Sequence, residues 1–347
     1  MTTTSPIPFT PAAPGSADAG STGTGPSGRR AAVVAAGLAL ALAGCGGGAD
    51  EPSGESGSDN GDGLTAITVG VQPFAELAPL YIAQERGLFE EHGLEVTVQP
   101  ASQGAELITA MVAGELPIVY SNYFSLLTAA DQGLPVRVFR ENDRPGVQGL
   151  YVMPDSDITD PEDFEGASIA VSGLGNVMEI TSRAVLEHHG VDLDSIEFVE
   201  LAPPTMLQAL EQGQVDAAWL VEPFATLGQS EQDVRMVVSA FEGPSQDSPV
   251  AGWATTADVA ESDPEMLAAF SAAIDEAMAI VHDEPDAVAE IIPTYTEMTP
   301  ELAASLGPVG YAQGNDLADL SIVNDLLLRY DIISAPVDLD SLIVDVG

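Results

Sequence analysis

The chain has 347 residues, of which 45% are hydrophobic, enough to form a sizeable buried core. Its 54 acidic residues outnumber its 9 basic ones, all of them arginines, and give a formal net charge of −45 at pH 7. Because no lysine is present, a pyridoxal Schiff base, a lysine nucleophile and a phosphate-loop lysine are all excluded. A field this negative also repels nucleic acid, so we expect no nucleic-acid partner.

The first 44 residues are typical of an export signal rather than of a folded domain. Arg29 and Arg30 precede an apolar run, residues 31–43, that is too short to cross a bilayer but suits the core of a signal peptide. The run ends in Leu-Ala-Gly-Cys at 42–45, which resembles the lipobox of bacterial lipoproteins. That resemblance implies cleavage before Cys45 and lipidation of its thiol, which would anchor the protein to the cell membrane.

Cys45 is also the only cysteine in the chain, so no internal disulfide and no cysteine-based zinc site can form. The residues that follow it are rich in Gly, Ser, Asp and Glu, which is the composition of a flexible linker. We therefore predict a signal peptide over residues 1–44 and a flexible acidic tether over residues 45–63.

From Leu64 onward, short β-branched runs alternate with helical patterns, which is typical of α/β proteins with mainly parallel sheets. Helices are predicted over 79–93 and 104–113, and a third ends near Gly133. The strands predicted in this first part of the chain cover residues 67–71, 95–99, 117–121, 136–140 and 149–153.

The pattern then restarts, which predicts a second lobe. Residues 155–166, DSDITDPEDFEG, carry carboxylates at intervals close to those of a calcium loop, but Asp160 stands where that loop needs Gly and Gly166 where it needs Glu. We interpret this segment as a turn and helix N-cap, and predict no metal site. Beyond it, a helix is predicted to about His189. The strands predicted in this part cover 168–173, 196–201, a short run after Gly213, 234–241 and 250–256.

Two stretches of the chain share one plan. Residues 106–124 and 206–224 each read as an apolar helix, a Gly and a short apolar strand, and in the shared register Tyr120 falls on Trp219. Ligands of open α/β sheets bind outside the carboxyl ends of the strands. Two such lobes facing each other would bury a small molecule between the segments that follow Tyr120 and Trp219.

Three motifs share the spacing of a known family. They are PLYIAQERGLFEEHGLEVTV (79–98), DFEGASIAVSGLGN (163–176), and VDAA followed three residues later by EPF (215–224). Together they resemble the periplasmic solute-binding proteins for nitrate, sulfonates, taurine and thiamine-type pyrimidines, over residues 64–345. Where that family usually has a Lys, this chain has Ala167, a departure that removes a surface charge.

The resemblance implies a type II-like periplasmic-binding-protein fold: two lobes, each a mainly parallel sheet flanked by helices, that close on a ligand by a hinge. It assigns 64–152 plus 250–347 to lobe one and 153–249 to lobe two, with crossings near 151–154 and 247–252. Such a protein delivers its solute to the permease of an ABC importer. We expect a monomer without cofactor on the extracytoplasmic face of the cell membrane.

Loops that follow the strands at the cleft supply the candidate ligand-binding residues. They combine aromatic faces, carboxylates, amides and hydroxyls, and some begin helices whose free N–H groups can bind polar ligand atoms. Tyr120 and Phe224 are interpreted as core residues. The predicted ligand-binding set is Gln72, Phe74, Glu76, Ser102, Asn122, Tyr123, Ser172, Asn176, Trp219 and Glu222.

The charge of the ligand follows from what these loops lack. Anions are normally bound by Arg, Lys or His, but the nearest basic residues, Arg144 and Arg183, lie outside the predicted loops. Aromatic rings together with Glu76 and Glu222 favour a nitrogenous solute, neutral or cationic, such as a pyrimidine. An alkanesulfonate, taurine or nitrate is the alternative.

An enzyme on the same fold is the remote alternative. A thiamine-pyrimidine synthase that resembles these binding proteins depends on pyridoxal phosphate and a lysine, and this chain has no lysine. The histidines are too scattered for a catalytic set, and one adjacent pair is placed at a helix C-terminus, where imidazole stabilises the dipole. We therefore predict no catalytic residues. The four histidines are His92, His188, His189 and His282.

Overall fold

A computed structural model describes residues 59–60 and 63–346 of the chain. The predicted signal peptide, the lipidation site Cys45 and most of the predicted tether lie outside the described residues. Asp59–Asn60, at the end of the predicted tether, pairs with the start of the next strand and so belongs to a sheet. None of the helices found between residues 63 and 346 is both long enough and apolar enough to span a membrane.

The described strands form two sheets. The first contains β1 (Asp59–Asn60), β2 (Leu64–Val71), β3 (Leu94–Pro100), β4 (Ile118–Asn122), β5 (Val136–Asp143) and, from much later in the chain, β11 (Ala251–Thr256). The second contains β6 (Gly149–Val152), β7 (Ser168–Val171), β8 (Glu197–Glu200), β9 (Ala217–Leu220) and β10 (Arg235–Ser239). Their spatial orders are β1-β2-β4-β11-β5, with β3 also beside β2, and β10-β6-β9-β7-β8.

Helices connect the strands and cover the sheets. The first lobe carries α1 (Ala78–Arg86), α2 (Leu88–Glu91), α3 (Gly104–Val112) and α4 (Tyr123–Asp131). The second carries α5 (Val177–His188), α6 (Pro203–Glu211) and α7 (Phe224–Gln232). The C-terminal part adds α8 (Ala257–Ser262), α9 (Pro264–Asp283), α10 (Pro285–Ile291), α11 (Pro300–Ala303), α12 (Leu320–Arg329) and α13 (Leu339–Leu342).

The two-lobed α/β fold is confirmed, but the sheets are mixed rather than mainly parallel. Strands β3 and β4 run parallel to β2, and β8 and β9 run parallel to β7. In contrast, β11 is antiparallel to β4 and β5, and β6 is antiparallel to β9 and β10. The reason is the path of the chain: β6 and β11 enter their sheets from the edge where the neighbouring strands end, so each must run in the opposite direction.

The crossings between the sheets lie at residues 144–148 and 240–250. We expected the first crossing near 151–154 and placed β6 in lobe one, whereas β6 pairs with β9 and β10 of the second sheet. The restart of the sequence pattern, which set that expectation, comes one strand later than the crossing itself.

Local sequence explains where several elements begin and end. The helix predicted over 79–93 is divided at Gly87, whose left-handed φ of 75° ends α1 and whose N–H donates to the carbonyls of Ala83 and Gln84. The predicted turn and N-cap at Asp160 is confirmed: its side chain and that of Asp163 form a capping box on the 3₁₀ turn Pro161–Phe164.

The core of the first lobe is centred on β11. The ring of Trp253 is fully buried, with its centroid 4.9 Å from that of Phe270 and 5.7 Å from that of Tyr120. The neighbouring Gly252 leaves room for the buried Tyr123 ring, because a Cβ there would overlap the Tyr123 hydroxyl and the carbonyl of Arg140. β11 therefore requires Gly at this position for packing rather than for backbone freedom.

Gly252→Ala should lower the free energy of unfolding by about 1–3 kcal/mol, because the added methyl forces the β11 surroundings apart. Gly314→Ala is the matched control, since a Cβ at Gly314 meets no atom within 4 Å, and its effect should stay within about 0.5 kcal/mol. Urea denaturation of the three proteins measures the difference. Equal stabilities for both variants would show that the packing around Gly252 is looser than described.

Candidate functional site

A cavity lies between the two lobes, at the edge where β2, β4, β5, β7 and β9 end. Its volume is about 40 Å³, enough for only a few water-sized atoms, so a larger ligand requires the lobes to separate. The cavity is lined from both lobes by Gln72, Phe74, Glu76, Tyr120, Asn122, Asp143, Gln148, Ser172, Val177, Met178, Trp219, Val221, Val250 and Ala251.

The structure brings six of the ten predicted residues to this cavity. They are Gln72, Phe74, Glu76, Asn122, Ser172 and Trp219. Three of these, Gln72, Asn122 and Ser172, also line an adjoining outer groove of about 420 Å³.

The other four predicted residues lie elsewhere. Asn176 lines the outer groove, where its Oδ1 caps α5 and its Nδ2 donates to Ser172 Oγ at 2.7 Å. Ser102 accepts a hydrogen bond from Gln72 Nε2 through its backbone carbonyl, and Tyr123 is buried against Gly252. Glu222 is bound by other groups, as described below. Ligand contact by these four stays a prediction.

Three polar cavity residues were assigned to other roles or missed in the sequence. Tyr120, interpreted as core, lines the cavity. Asp143 was missed because β5 continues three residues beyond the predicted end at 140 and so delivers a carboxylate to the cleft. The sequence signal for Asp143 was the acidic run Glu141-Asn142-Asp143 after an apolar strand. Gln148 was also missed, and it lies in the crossing that follows β5.

Two buried carboxylates define the chemistry of the cavity. Glu76 and Asp143 are 2% and 1% exposed. One oxygen of each is bound: Glu76 Oε1 accepts from Gln148 Nε2 at 3.1 Å, and Asp143 Oδ1 accepts from the Tyr120 hydroxyl at 2.8 Å. The second oxygen of each, Glu76 Oε2 and Asp143 Oδ2, is buried and accepts no hydrogen bond from the described residues.

Burial shifts the ionisation of both acids. Desolvation raises the pKa of Asp143 to about 8, against the hydrogen bonds from Tyr120 and Asn142 that lower it. Desolvation also raises the pKa of Glu76 well above its ordinary value, and the charge of Asp143 adds to the rise. Near neutral pH the empty cavity therefore holds at least one proton on this pair.

Glu76 is held in place through its backbone by both lobes. It lies in a 3₁₀ turn, Ala75–Leu77, whose Glu76 carbonyl accepts from Asn142 Nδ2 at 2.8 Å. The Ala75 carbonyl accepts from the Tyr311 hydroxyl at 2.9 Å, and the Ala75 N–H donates to the Glu222 carbonyl at 3.1 Å. The turn is thus fixed by the first lobe, the C-terminal part and the second lobe together.

Glu222 connects the lobes rather than lining the cavity. Its carboxylate accepts from Thr226 Oγ1 at 2.8 Å and Thr226 N–H at 3.1 Å, and from the Gly307 N–H at 3.2 Å. Burial raises its pKa, against these hydrogen bonds. The carboxylate of Glu222 therefore joins the second lobe to the C-terminal part of the chain, and its contact with a ligand stays a prediction.

Aromatic side chains form the remaining walls. Trp219 is 2% exposed, and its Nε1 donates to Thr181 Oγ1 at 3.1 Å, which fixes the ring. Phe74 packs edge-on against Phe224, with centroids 6.4 Å apart. Together with Tyr120 these rings give the cavity flat, weakly polar walls around its carboxylates.

The family is identified from the sequence. The profile of the family described as NMT1/THI5 like matches residues 75–288, and the chain belongs to that family. The taurine-binding periplasmic protein of Escherichia coli (strain K12) is 28% identical over 207 residues, 59% of this chain and 63% of that protein. The formylaminopyrimidine-binding protein of Halalkalibacterium halodurans is 24% identical over 122 residues, 35% of this chain and 37% of that protein. The chain thus spans less than two thirds of these curated relatives.

Solved structures share the fold. The alkanesulfonate-binding protein SsuA from Xanthomonas axonopodis pv. citri, bound to MOPS, has a TM-score of 0.71 at 16% identity and covers 81% of this chain and 98% of its own. The desulfurization enzyme DSZB has a TM-score of 0.61 at 20% identity, covering 81% and 96%. At these identities the likeness shows the fold alone, and it confirms the two-lobed periplasmic-binding-protein fold.

The raised pKa of Asp143 predicts a stability that falls as pH rises. An unfolded Asp ionises near pH 4, whereas the folded one stays protonated to about 8. Between these values the folded state binds the extra proton, so each pH unit should cost up to about 1.4 kcal/mol.

Asp143→Asn removes this carboxyl and should flatten the decline in unfolding free energy between pH 5 and 8, measured by urea denaturation at each pH. Glu211→Gln, an exposed position at the end of α6, is the control and should decline in parallel with the wild type. Identical slopes for wild type and Asp143→Asn would contradict the buried, protonated acid.

Proposed function

We propose that this protein is the lipid-anchored, extracytoplasmic substrate-binding protein of an ABC importer, and that it captures a small nitrogenous solute, cationic or neutral, between its lobes. The observation that carries the proposal is the pair of buried carboxylates in the inter-lobe cavity, each with one oxygen free to accept a hydrogen bond. Ammonium, amidinium and aminopyrimidine groups supply the N–H donors that such oxygens need.

The position of the arginines argues against an anionic solute. Within the described residues, no arginine or histidine lines the cavity. Three arginines of the two lobes each pair with an acid: Arg140 with Asp275, Arg144 with Glu141 and Asp319, and Arg183 with Glu179. A sulfonate or nitrate in the cavity would face carboxylates without a compensating cation.

The walls of the cavity support a flat or cationic ligand. Trp219, Tyr120 and Phe74 offer aromatic faces on which a pyrimidine ring can stack or a cation can rest. Amide groups of Gln72, Asn122 and Gln148 add donors and acceptors at the rim. This combination suits an aminopyrimidine better than an aliphatic sulfonate.

The alternative is a sulfonate-type ligand, favoured by the relatives. The taurine-binding relative and the MOPS-bound structural neighbour are named for such solutes. Taurine also carries an ammonium group, which the carboxylates can accept, but its sulfonate finds no charged partner here. Catalysis is the remote alternative, for which DSZB provides a shared fold alone. We assign the chain no catalytic role, since its curated relatives are named as binding proteins.

A thermal-shift screen of the purified protein tests the ligand class. Ethylammonium and 4-aminopyrimidine should raise Tm in a saturable way, while ethanesulfonate and nitrate should not; a ligand at about 100 times its Kd adds about 2.7 kcal/mol of stability. Ethylammonium and ethanesulfonate separate the two alternatives, because each carries one of the two charged groups that taurine combines. A saturable response to ethanesulfonate and taurine, with none to the nitrogenous compounds, would overturn the proposed ligand class.

Lipid anchoring is tested separately in cells. The wild-type chain should sediment with the membrane fraction and be released by detergent, whereas Cys45→Ser should appear in the soluble extracytoplasmic fraction, since its hydroxyl cannot take the thioether-linked lipid. Glu211→Gln should fractionate as the wild type does. Membrane association of Cys45→Ser equal to that of the wild type would contradict the anchor.

A further inference from the structure

The two cavity carboxylates lie in surroundings that hold no compensating cation. Glu76 and Asp143 both line the cavity and are more than nine-tenths buried, and Glu76 Oε2 and Asp143 Oδ2 accept no hydrogen bond from the described residues. The titratable groups that face the pair from neighbouring elements are Tyr120, Tyr123, Glu141, Glu222, Tyr295 and Tyr311. Each of these groups is neutral or negative, so none can balance a second charge.

The arginines closest to Asp143 in the sequence are paired with other acids. Arg140 binds Asp275 at 2.6 Å and the carbonyl of Gly314. Arg144 binds Glu141 and Asp319 at the surface of the crossing. Two carboxylates in one closed cavity of low dielectric repel each other strongly unless one is protonated or a cation joins them. Without a bound cation, one of the two carboxyls in the closed cavity is therefore protonated.

We propose that Glu76 and Asp143 form a cation subsite in which the charged nitrogen group of the ligand replaces this proton, so that capture of one cation releases about one proton. In the empty cavity the proton resides on one carboxyl oxygen of the pair. On binding, that O–H bond breaks and the proton passes to solvent, while the ligand's N–H groups donate to Glu76 Oε2 and Asp143 Oδ2. No covalent bond to the ligand forms. The inference rests on the proposed function and deepens it.

The geometry selects the cationic group. The two free oxygens belong to separate side chains, one from the Ala75–Leu77 turn and one from the end of β5. An amidinium-type group presents two N–H donors in one plane and remains charged throughout the neutral range, so it offers one donor for each oxygen. A neutral amide of the same shape has N–H donors but no charge to exchange for the proton.

Exchange of the proton for the cation makes the affinity for a cationic ligand depend on pH. Where the pair holds a proton, a cation must displace it, so the affinity should rise about tenfold for each pH unit. It should level off once the empty pair has lost that proton. A neutral ligand that leaves the proton in place should bind with the same Kd throughout.

Isothermal titration calorimetry of the full folded chain with acetamidinium chloride tests the exchange. Titrations at pH 6.5 in buffers of different ionisation enthalpy give the number of protons released, which should be close to one per acetamidinium bound. Between pH 5 and 7 the Kd should fall about tenfold for each pH unit. Acetamide, the neutral isostere, should show neither effect.

Variants show whether the released proton comes from Glu76 and Asp143 or from the other acidic residues of the protein. Asp143→Asn should lower proton release and weaken acetamidinium binding at pH 7 at least tenfold, and the double variant with Glu76→Gln should lose the release, while Glu211→Gln should keep both wild-type values. Glu76→Gln serves as a second variant should Asp143→Asn fail to fold, and circular dichroism checks each protein before titration. Unchanged proton release in both cavity variants would assign the proton to another group and contradict the subsite.

The outcomes distinguish this inference from the function on which it rests. Saturable binding of acetamidinium without proton release overturns the exchange and leaves the nitrogenous-solute proposal intact. No binding of acetamidinium, guanidinium or methylammonium, together with a response to ethanesulfonate, overturns both. Release of about one proton, lowered in the cavity variants and absent with acetamide, supports both.

Discussion

The cost of burying two acids together constrains the structure of the cleft. Glu76 and Asp143 lie between the lobes with no cation beside them among the described residues, and burial raises the pKa of both carboxyls. Such a pair is tolerated because its bound oxygens accept hydrogen bonds from Gln148 and Tyr120. In the proposed function the N–H groups of a ligand supply donors to the other two oxygens, and this requirement restricts the ligand class more than the volume of the cavity does.

The path of the chain places the two carboxylates at the boundary between the lobes. Strand β5 ends at Asp143 and the chain then crosses to the second sheet, so the carboxylate lies at the last residue before the crossing. Asn142, beside it, links the carbonyl of Glu76 to the indole of Trp253 at the centre of the first lobe. A site made from strand ends inherits its rigidity from the sheets, while the crossings leave the lobes free to separate.

Much of the fold could be predicted from the sequence because strand and helix periods are local properties. The motif around residues 79–98 indicated the family correctly, and Tyr120 and Trp219 of the repeat both line the cavity between the lobes. Two features of the site depend on contacts that are distant in the sequence. The end of β5 is polar yet paired, since Gly252 and Ala251 of β11 pair with Glu141 and Asp143 from a distant part of the chain. The Glu222 carboxylate accepts from Gly307, which lies 85 positions away, and no local pattern reveals such a contact.

Gln148 lies in the first crossing, between the two sheets, and donates to Glu76 inside the cavity. In the proposed function this segment bends when the lobes part, and it also carries a wall of the cavity. Separation of the lobes would then alter the hydrogen bond between Gln148 and Glu76, so binding of a solute and opening of the protein would be coupled through one side chain.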